Sequence, residues 1–288
     1  MILVTGSTSR IGKEAVFDLV LQDVQLRVMI YGGVGNEWEN WSNVETLMGD
    51  FAKPESMDAA LEGIDTALLL SSAGARHIEL QTAFIDACVR AGVKHVVKIS
   101  AIGADPLSSA RVLKRHGASE AHLAASGMRA TIVRSNLFMQ GVLNNRGPIL
   151  ERQKFSASLE PAARVSMVDV RDVASVVARK LLEADGPSET LEVTGPAALT
   201  QPEVAAAIAL ALGKPVAYEP LSTSEFAELL AGVPVPRDAA EGTVELYDWY
   251  NTGGAAEVTD TVARIVGRPP TDLATYLEKF KDRFDDTP

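Results

Sequence analysis

Gly6 and Gly12, six residues apart in Thr5-Gly6-Ser7-Thr8-Ser9-Arg10-Ile11-Gly12, are the residues whose type and spacing most directly imply chemistry. Ile2 to Thr5 is a β-branched apolar run, and a helical pattern begins at about Arg10. Gly6 lets the chain turn sharply as it leaves the strand, and Gly12 lets the helix pack close to that strand. Strand, tight turn and helix start together present backbone N–H groups and a positive helix end to a diphosphate. The chemistry implied is the holding of a dinucleotide, NAD(P), with Gly6, Thr8, Ser9, Arg10, Ile11 and Gly12 around its pyrophosphate. A third glycine, which lets the backbone approach the pyrophosphate in such loops, is absent: Ser9 and Arg10 occupy its two alternative positions. An ordinary strand–turn–helix without a ligand is the competing reading.

The elements that must position this loop alternate through the first two-thirds of the chain. Strands are expected at 26–31, 44–48, 65–70, 93–100 and 129–134, and helices at 54–62, 78–90 and 109–126. Pro54 suits a first helical turn, and Gly92 suits the residue past a helix end. Between the second and third strands lies Gly32-Gly33-Val34-Gly35-Asn36-Glu37-Trp38, with Trp41 close behind, on the cofactor side. Such alternation predicts a Rossmann-type α/β fold, a doubly wound parallel sheet with helices on both faces. Beyond about Asn144 the rhythm loosens. A strand at 165–168 and a helix at 169–183 are expected to return to the sheet, with Asp169 as N-cap and Asp172 completing a partial capping box. Later helices at 201–212, 223–231, 237–250 and 272–284 predict a smaller, mostly helical, substrate-binding lobe. The expected division is 1–144 with 165–184 for the dinucleotide-binding domain, and 145–164 with 185–288 for the lobe.

At 288 residues the chain has ample length for a packed core. A net charge of −11 without a basic block argues against nucleic acid and anionic membranes as partners. No apolar run approaches a membrane span, and no cleavable leader pattern opens the chain, so a cytoplasmic protein is expected. Cys88 is the one cysteine, which excludes an internal disulfide, and the four histidines form no metal-ligand pattern, so no metal is expected.

The chain resembles an atypical short-chain dehydrogenase/reductase of the NmrA-like branch, a group that includes NAD(P)H-dependent quinone, azo and triphenylmethane dye reductases. The marks span nearly the whole chain: the glycine loop; Met48-Gly49-Asp50-Phe51; Leu70-Ser71-Ser72-Ala73; Lys98-Ile99-Ser100-Ala101; His116-Gly117-Ala118-Ser119-Glu120; 134–140 from Arg134; 168–174 around Asp169; and 253–260 from Gly253-Gly254. The resemblance implies that Asp50 accepts a hydrogen bond from adenine with Phe51 beside the ring, where capping of the next helix is the alternative. It sets Ser71 and Ser72 at the ribose and nicotinamide. Where an acid would read the ribose 2′-hydroxyl of NAD, the chain has Tyr31-Gly32-Gly33. Without that acid, Arg10 and the nearby Lys13 favour NADP(H), with NAD(H) left open and a solvated Arg10 as the alternative.

The same resemblance implies the catalytic positions. Typical members use Tyr-x-x-x-Lys, with tyrosine protonating the substrate and lysine lowering its pKa. His116 and Glu120 stand there instead, sharing a helix face. A carboxylate beside His116 would raise its pKa and make it a general acid, with Glu120 as its orienter and Ser100 as a substrate hydrogen-bonding group. A surface His–Glu pair is the alternative. Asn136 is expected at the cofactor, Phe138 and Met139 beside the nicotinamide, and Tyr247, Trp249 and Tyr250 as a substrate-lining cluster, unless these aromatics are core. The function expected is hydride transfer from NAD(P)H to a small hydrophobic, conjugated acceptor: a quinone, imine, azo or dye-like compound, or a biosynthetic intermediate. A non-catalytic redox sensor and a non-redox isomerase or cyclase are the alternatives. Assembly as a homodimer is left open.

Overall fold

The structure is a computed structural model that describes residues 1–32, 37–38, 40–72 and 74–284. Gly33, Val34, Gly35 and Asn36 of the expected glycine-rich loop, and Ala73 of the serine motif, lie outside the described residues.

The first half alternates as expected. It runs β1 (Ile2–Val4), α1 (Arg10–Val20), β2 (Leu26–Ile30), β3 (Val44–Met48), α2 (Pro54–Leu61), β4 (Thr66–Leu69), α3 (His77–Ala91), β5 (His95–Ala101), α4 (Arg111–Ala125) and β6 (Arg129–Ser135). A 3₁₀ turn (Met139–Asn145), α5 (Arg146–Arg152), β7 (Lys154–Ala157), β8 (Arg164–Val165), α6 (Val170–Leu182) and β9 (Glu189–Val193) follow. The chain continues through β10 (Leu199–Thr200), α7 (Gln201–Leu212), β11 (Ala217–Pro220), α8 (Thr223–Ala231), α9 (Arg237–Asn251), α10 (Thr261–Val266) and α11 (Leu273–Phe280).

Seven strands form one sheet in the order β3-β2-β1-β4-β5-β6-β9, and β1 pairs in parallel with both β2 and β4. The order reverses between β1 and β4, which makes the carboxyl ends of these two strands a topological switch point. Thr5 pins that point: its hydroxyl donates to Leu68 O at 2.7 Å and accepts the Leu70 N–H at 3.0 Å. α1 buries Ile11, Ala15, Val16 and Leu19 at helical spacing. Leu3, Met57, Leu61, Leu69, Phe84 and Ile85 fill the core around the central strands.

The chain divides into two compact units, Met1–Ser108 with Leu113–Arg134 and Val173–Glu192, and Ser109–Val112 with Ser135–Asp172 and Val193–Pro288. This moves the expected boundary. Residues 135–144 fall outside the first unit, because from Leu137 onward the apolar side chains pack into the second core. Residues 185–192, expected in the lobe, belong to the first unit because β9 extends the sheet. The strand expected at 165–168 is short and pairs antiparallel with β10 inside the second unit. That unit also holds a parallel β7–β11 pair, too short to leave a sequence pattern. The partial capping box at α6 does not form. Asp169 bonds Arg171 N–H, but the Asp172 carboxylate turns away, accepting from Thr271 N and Oγ1 and pairing with Arg268. Among the described residues, no helix is long and apolar enough to cross a membrane.

Candidate functional site

The β1–α1 loop decides whether a dinucleotide fits. Gly6 holds a left-handed φ of +64°, and a Cβ there would meet Leu70 O at 2.6 Å. A Cβ on Gly12 would lie 2.1 Å from Gly6 O, so both glycines are required by close backbone approach. No glycine is required between them. Ser9 has φ −76°, and the described non-glycine residues with positive φ are Asp23 and Gln153, far from this loop. The Ser9 side chain turns into the helix start, its Oγ accepting Gly12 N–H at 3.0 Å. The Arg10 and Ile11 N–H groups open the first turn of α1 and have no acceptor within the helix. Thr8 and Arg10 are exposed, and Arg10 makes no ion pair with a described residue. The loop therefore fits a pyrophosphate without its middle glycine. Lys13, by contrast, is committed to Glu37 at 2.8 Å.

Around the loop the expected cofactor residues separate. Asp50 closes a local turn, its Oδ1 accepting Ala52 N–H at 2.9 Å; it does not cap α2, whose N-cap is Lys53. Phe51 is a correction: it stacks on Phe84 at 4.6 Å between ring centroids and belongs to the core. Tyr31 is exposed. Trp38 is fully buried against Phe17 and serves packing rather than the cofactor, whereas Trp41 is partly exposed. Ser71 and Ser72 do follow β4 at the switch point; Ser71 Oγ accepts from Gln81 Nε2 at 3.1 Å, and Ser72 O from His77 Nδ1 at 3.1 Å.

The expected catalytic positions form a polar ladder between β5 and α4. Two residues along a strand advance about 6.6 Å and four along a helix about 6 Å. Lys98 and Ser100 can thus sit opposite His116 and Glu120, rung against rung. The upper rung joins Lys98 Nζ to His116 Nδ1 at 3.3 Å. The lower rung joins Ser100 Oγ to Glu120 Oε1. Gly117 lets α4 pack against the segment that follows β5, where a Cβ would strike Asp105 C at 2.3 Å.

This geometry corrects the expected chemistry. Glu120 does not orient His116; it receives Arg134 through Nη2 at 2.6 Å and Nε at 3.2 Å, along with Ser100. The pairing also holds the Arg134 guanidinium above its ordinary pKa. His116 falls well below the usual histidine range, first by desolvation and then by the charges of Lys98 and His77. It is a neutral imidazole, not the acid that an adjacent carboxylate would create. Burial pushes Lys98 itself down to about 8 and His77 down to about 4. His77 meets the His116 ring edge-on, with centroids 4.7 Å apart. Lys98, His77 and Arg134 were missed as site residues. A lysine among Val96, Val97 and Ile99 in a buried parallel strand was the available signal.

The residues expected on the cofactor and substrate side in the second unit are largely structural. Asn136 is buried, both its amide hydrogens are used by Ser166 Oγ (2.7 Å) and Ala255 O (2.9 Å), and its Oδ1 accepts Leu137 N–H, so its amide is engaged within the second unit. Met139 and Tyr250 are core, and Tyr247 packs on Phe226 and Tyr250. Trp249 lies over Gly254, where a Cβ would come within 2.3 Å of its ring. Phe138 is half-buried and bridges to Val168. Burial pushes the Tyr247 phenol up to about 12 and Tyr250 higher still, so neither replaces the missing tyrosine acid.

The model of the NmrA-like family matches residues 1–277. An NAD(P)H azoreductase of Xenophilus azovorans is 32% identical over 284 residues, 99% of each chain. A (4-alkanoyl-5-oxo-2,5-dihydrofuran-3-yl)methyl phosphate reductase of Streptomyces griseus is 29% identical over 293 residues, again 99% of each. Among solved structures, an NADPH-dependent quinone oxidoreductase from Escherichia coli complexed with NADPH superposes with a TM-score of 0.88 at 24% identity, covering 98% of this chain and 100% of that one.

Proposed function

The chain belongs to the NmrA-like family, and from that premise we propose an NAD(P)H-dependent reductase that acts on a small, hydrophobic, conjugated acceptor such as a quinone, imine, azo or dye-like compound. The observation that carries this reading is the glycine cradle at the β1/β4 switch point, in a chain alike over its whole length to a named NAD(P)H azoreductase. When bound, the dihydronicotinamide supplies a hydride.

The chain's own residues do the rest. Gly6 and Gly12 leave room for the pyrophosphate, and the first N–H groups of α1 receive its charge. Arg10 reads a 2′-phosphate, which favours NADP(H) over NAD(H). Asp50 keeps one carboxylate oxygen for the adenine amino group, and Ser71 and Ser72 border the ribose. His116, neutral, offers hydrogen-bond donation to charge developing on the reduced acceptor. The cytoplasm, where NAD(P)H and reduced thiols are abundant, suits this activity and the buried lone Cys88.

Fluorescence titration with NADPH and NADH, followed by stopped-flow oxidation with quinone and azo acceptors, tests the reading. Arg10→Ala should weaken NADPH about tenfold, the size of one charge-assisted contact, and leave NADH unchanged. Binding of both redox forms without oxidation by any acceptor would replace the reductase with a sensor. No binding of either nucleotide would remove both.

A further inference from the structure

Lys98 is a lysine with no exposed surface, inside a parallel strand and away from any carboxylate within bonding distance among its described partners. Its ammonium hydrogens go to Ile99 O at 3.2 Å and to His116 Nδ1 at 3.3 Å. An ammonium has hydrogens and no lone pair, so His116 Nδ1 must be the acceptor. The ring proton of neutral His116 is thereby assigned to Nε2. That nitrogen bonds no described residue, and it is not among the atoms closed off from solvent. It is a donor held ready for a ligand.

His77 completes the arrangement. It gives its Nδ1 hydrogen to Ser72 O, so it has no second hydrogen to offer, and its buried Nε2 meets no donor among the described residues. It cannot supply a proton to its neighbour; it packs edge-on against the ring, and its electrostatic influence disfavours a charge on His116. The charged and titratable groups around the pair are His77 from α3, Arg115 and Glu120 from α4, and Arg134 from β6. Glu120 favours the Lys98 charge, Arg134 opposes it, and Arg115 opposes a charge on His77. Lys98 is left as the one group in this cluster that both carries a proton at neutral pH and touches His116.

We propose that Lys98 is the proton reservoir of this site, acting through His116: it fixes the imidazole as the Nε2–H tautomer and refills it after that proton has passed to the reduced acceptor. The proposal rests on the reductase reading for its acceptor. In the step, the acceptor has gained two electrons and one hydrogen as hydride and carries a negative charge on oxygen or nitrogen. The His116 Nε2–H bond breaks and the acceptor–H bond forms. One Lys98 N–H bond breaks as His116 Nδ1–H forms, leaving Lys98 a neutral amine, and return of the imidazole to its first tautomer and of the amine to ammonium takes one proton from water. Lys98 is thus a positioning residue and His116 is the group that touches the acceptor.

The test uses histidine-labelled protein and two independent readouts. First, ¹⁵N NMR of the protein without nucleotide should show His116 as the neutral Nε2–H tautomer from pH 6 to 7.5. In Lys98→Met the ring should lose that bias and populate the other tautomer or the imidazolium. A wild-type His116 protonated on Nδ1, or a spectrum unchanged in Lys98→Met, would overturn the assignment. Second, with NADPH and a quinone, Lys98→Met should lower kcat about 100-fold with KM little changed, and abolish the fall of kcat as Lys98 loses its proton. His116→Gln, which keeps a donor but breaks the relay, should match Lys98→Met. Full kcat and an intact alkaline limb in Lys98→Met would overturn the relay. Absence of NADPH oxidation in wild type would instead remove the reductase reading, and the relay with it, while the NMR result still judges the tautomer.

Discussion

Lys98→Met should make the protein more stable at pH 7 and less stable at pH 10. A lysine that titrates at about 8 in the fold and at 10.5 in the unfolded chain binds fewer protons when folded. Each pH unit of that difference is worth roughly 1.4 kcal/mol, so the buried charge costs the fold about 3 kcal/mol at pH 7. Below pH 8 the cost is fully present; it declines as pH rises from 8 and is gone above 10.5. Methionine nearly matches the lysine stem in volume and removes the charge, but it forfeits the hydrogen bonds to Ile99 O and His116 Nδ1, at about 1 kcal/mol each. The variant should therefore be about 1 kcal/mol more stable at pH 7 and about 1–2 kcal/mol less stable at pH 10. Urea unfolding at both pH values measures this, and other titrating groups cancel in the difference between the two proteins. A gap that does not change sign or narrow between pH 7 and pH 10 would refute the reasoning, because it would mean that Lys98 is solvated and ordinary.

Glu120→Gln should lower stability by about 2–3 kcal/mol at neutral pH, since Arg134 would lose its close carboxylate partner and be left with Glu192 at 3.9 Å; urea unfolding at pH 7 reads it directly. Asn136→Ala breaks three hydrogen bonds, two of them buried, and should lower Tm by several degrees, at about 2–3 kcal/mol, while NADPH affinity stays within twofold; a large loss of affinity would support Asn136 as a cofactor ligand. Gly12→Ala puts a methyl group where Gly6 O stands, so the loop must open; NADPH binding should fall by at least ~100-fold in calorimetry, with a reduced Tm.

What the sequence made legible follows the range of the forces involved. Gly92 past a helix end and Pro54 in a first turn depend on a few neighbouring residues, and each stands where the local pattern puts it. The expected partnership of His116 with Glu120 does not form, although the two share a helix. Whether a carboxylate serves its helical neighbour or a partner across the sheet depends on Arg134, fourteen residues away in sequence, and on the depth of Lys98. The aromatic run Tyr247–Tyr250 misled for a related reason: ring chemistry is equally suited to a pocket or a core, and only Phe226, Gly254 and the second core distinguish them. Asn136 and Phe51 likewise have side chains of the right type at the right distance past a strand, with their bonding capacity spent elsewhere.

His116 and Glu120, standing where the sequence resemblance expects tyrosine and lysine, have a consequence in electrostatics. A cation beside a tyrosine lowers its pKa toward neutrality and makes it a better acid. The same cation beside a histidine removes the imidazolium and leaves a neutral donor. A carboxylate facing His116 would do the opposite, and Arg134 prevents that by holding Glu120 on Ser100. The cation here lies on the strand, and the two-residue step of β5 against the four-residue step of α4 sets Lys98 opposite the ring rather than beside Glu120. Arg134→Met should therefore expose the opposing tendency. With Glu120 released, Lys98 gains an unopposed anion, its pKa rises from about 8, and the alkaline limb of kcat moves upward with it. An alkaline limb that stays where it is in Arg134→Met would show that Arg134 and Glu120 only brace the sheet, and that the charge on Lys98 is set by burial alone.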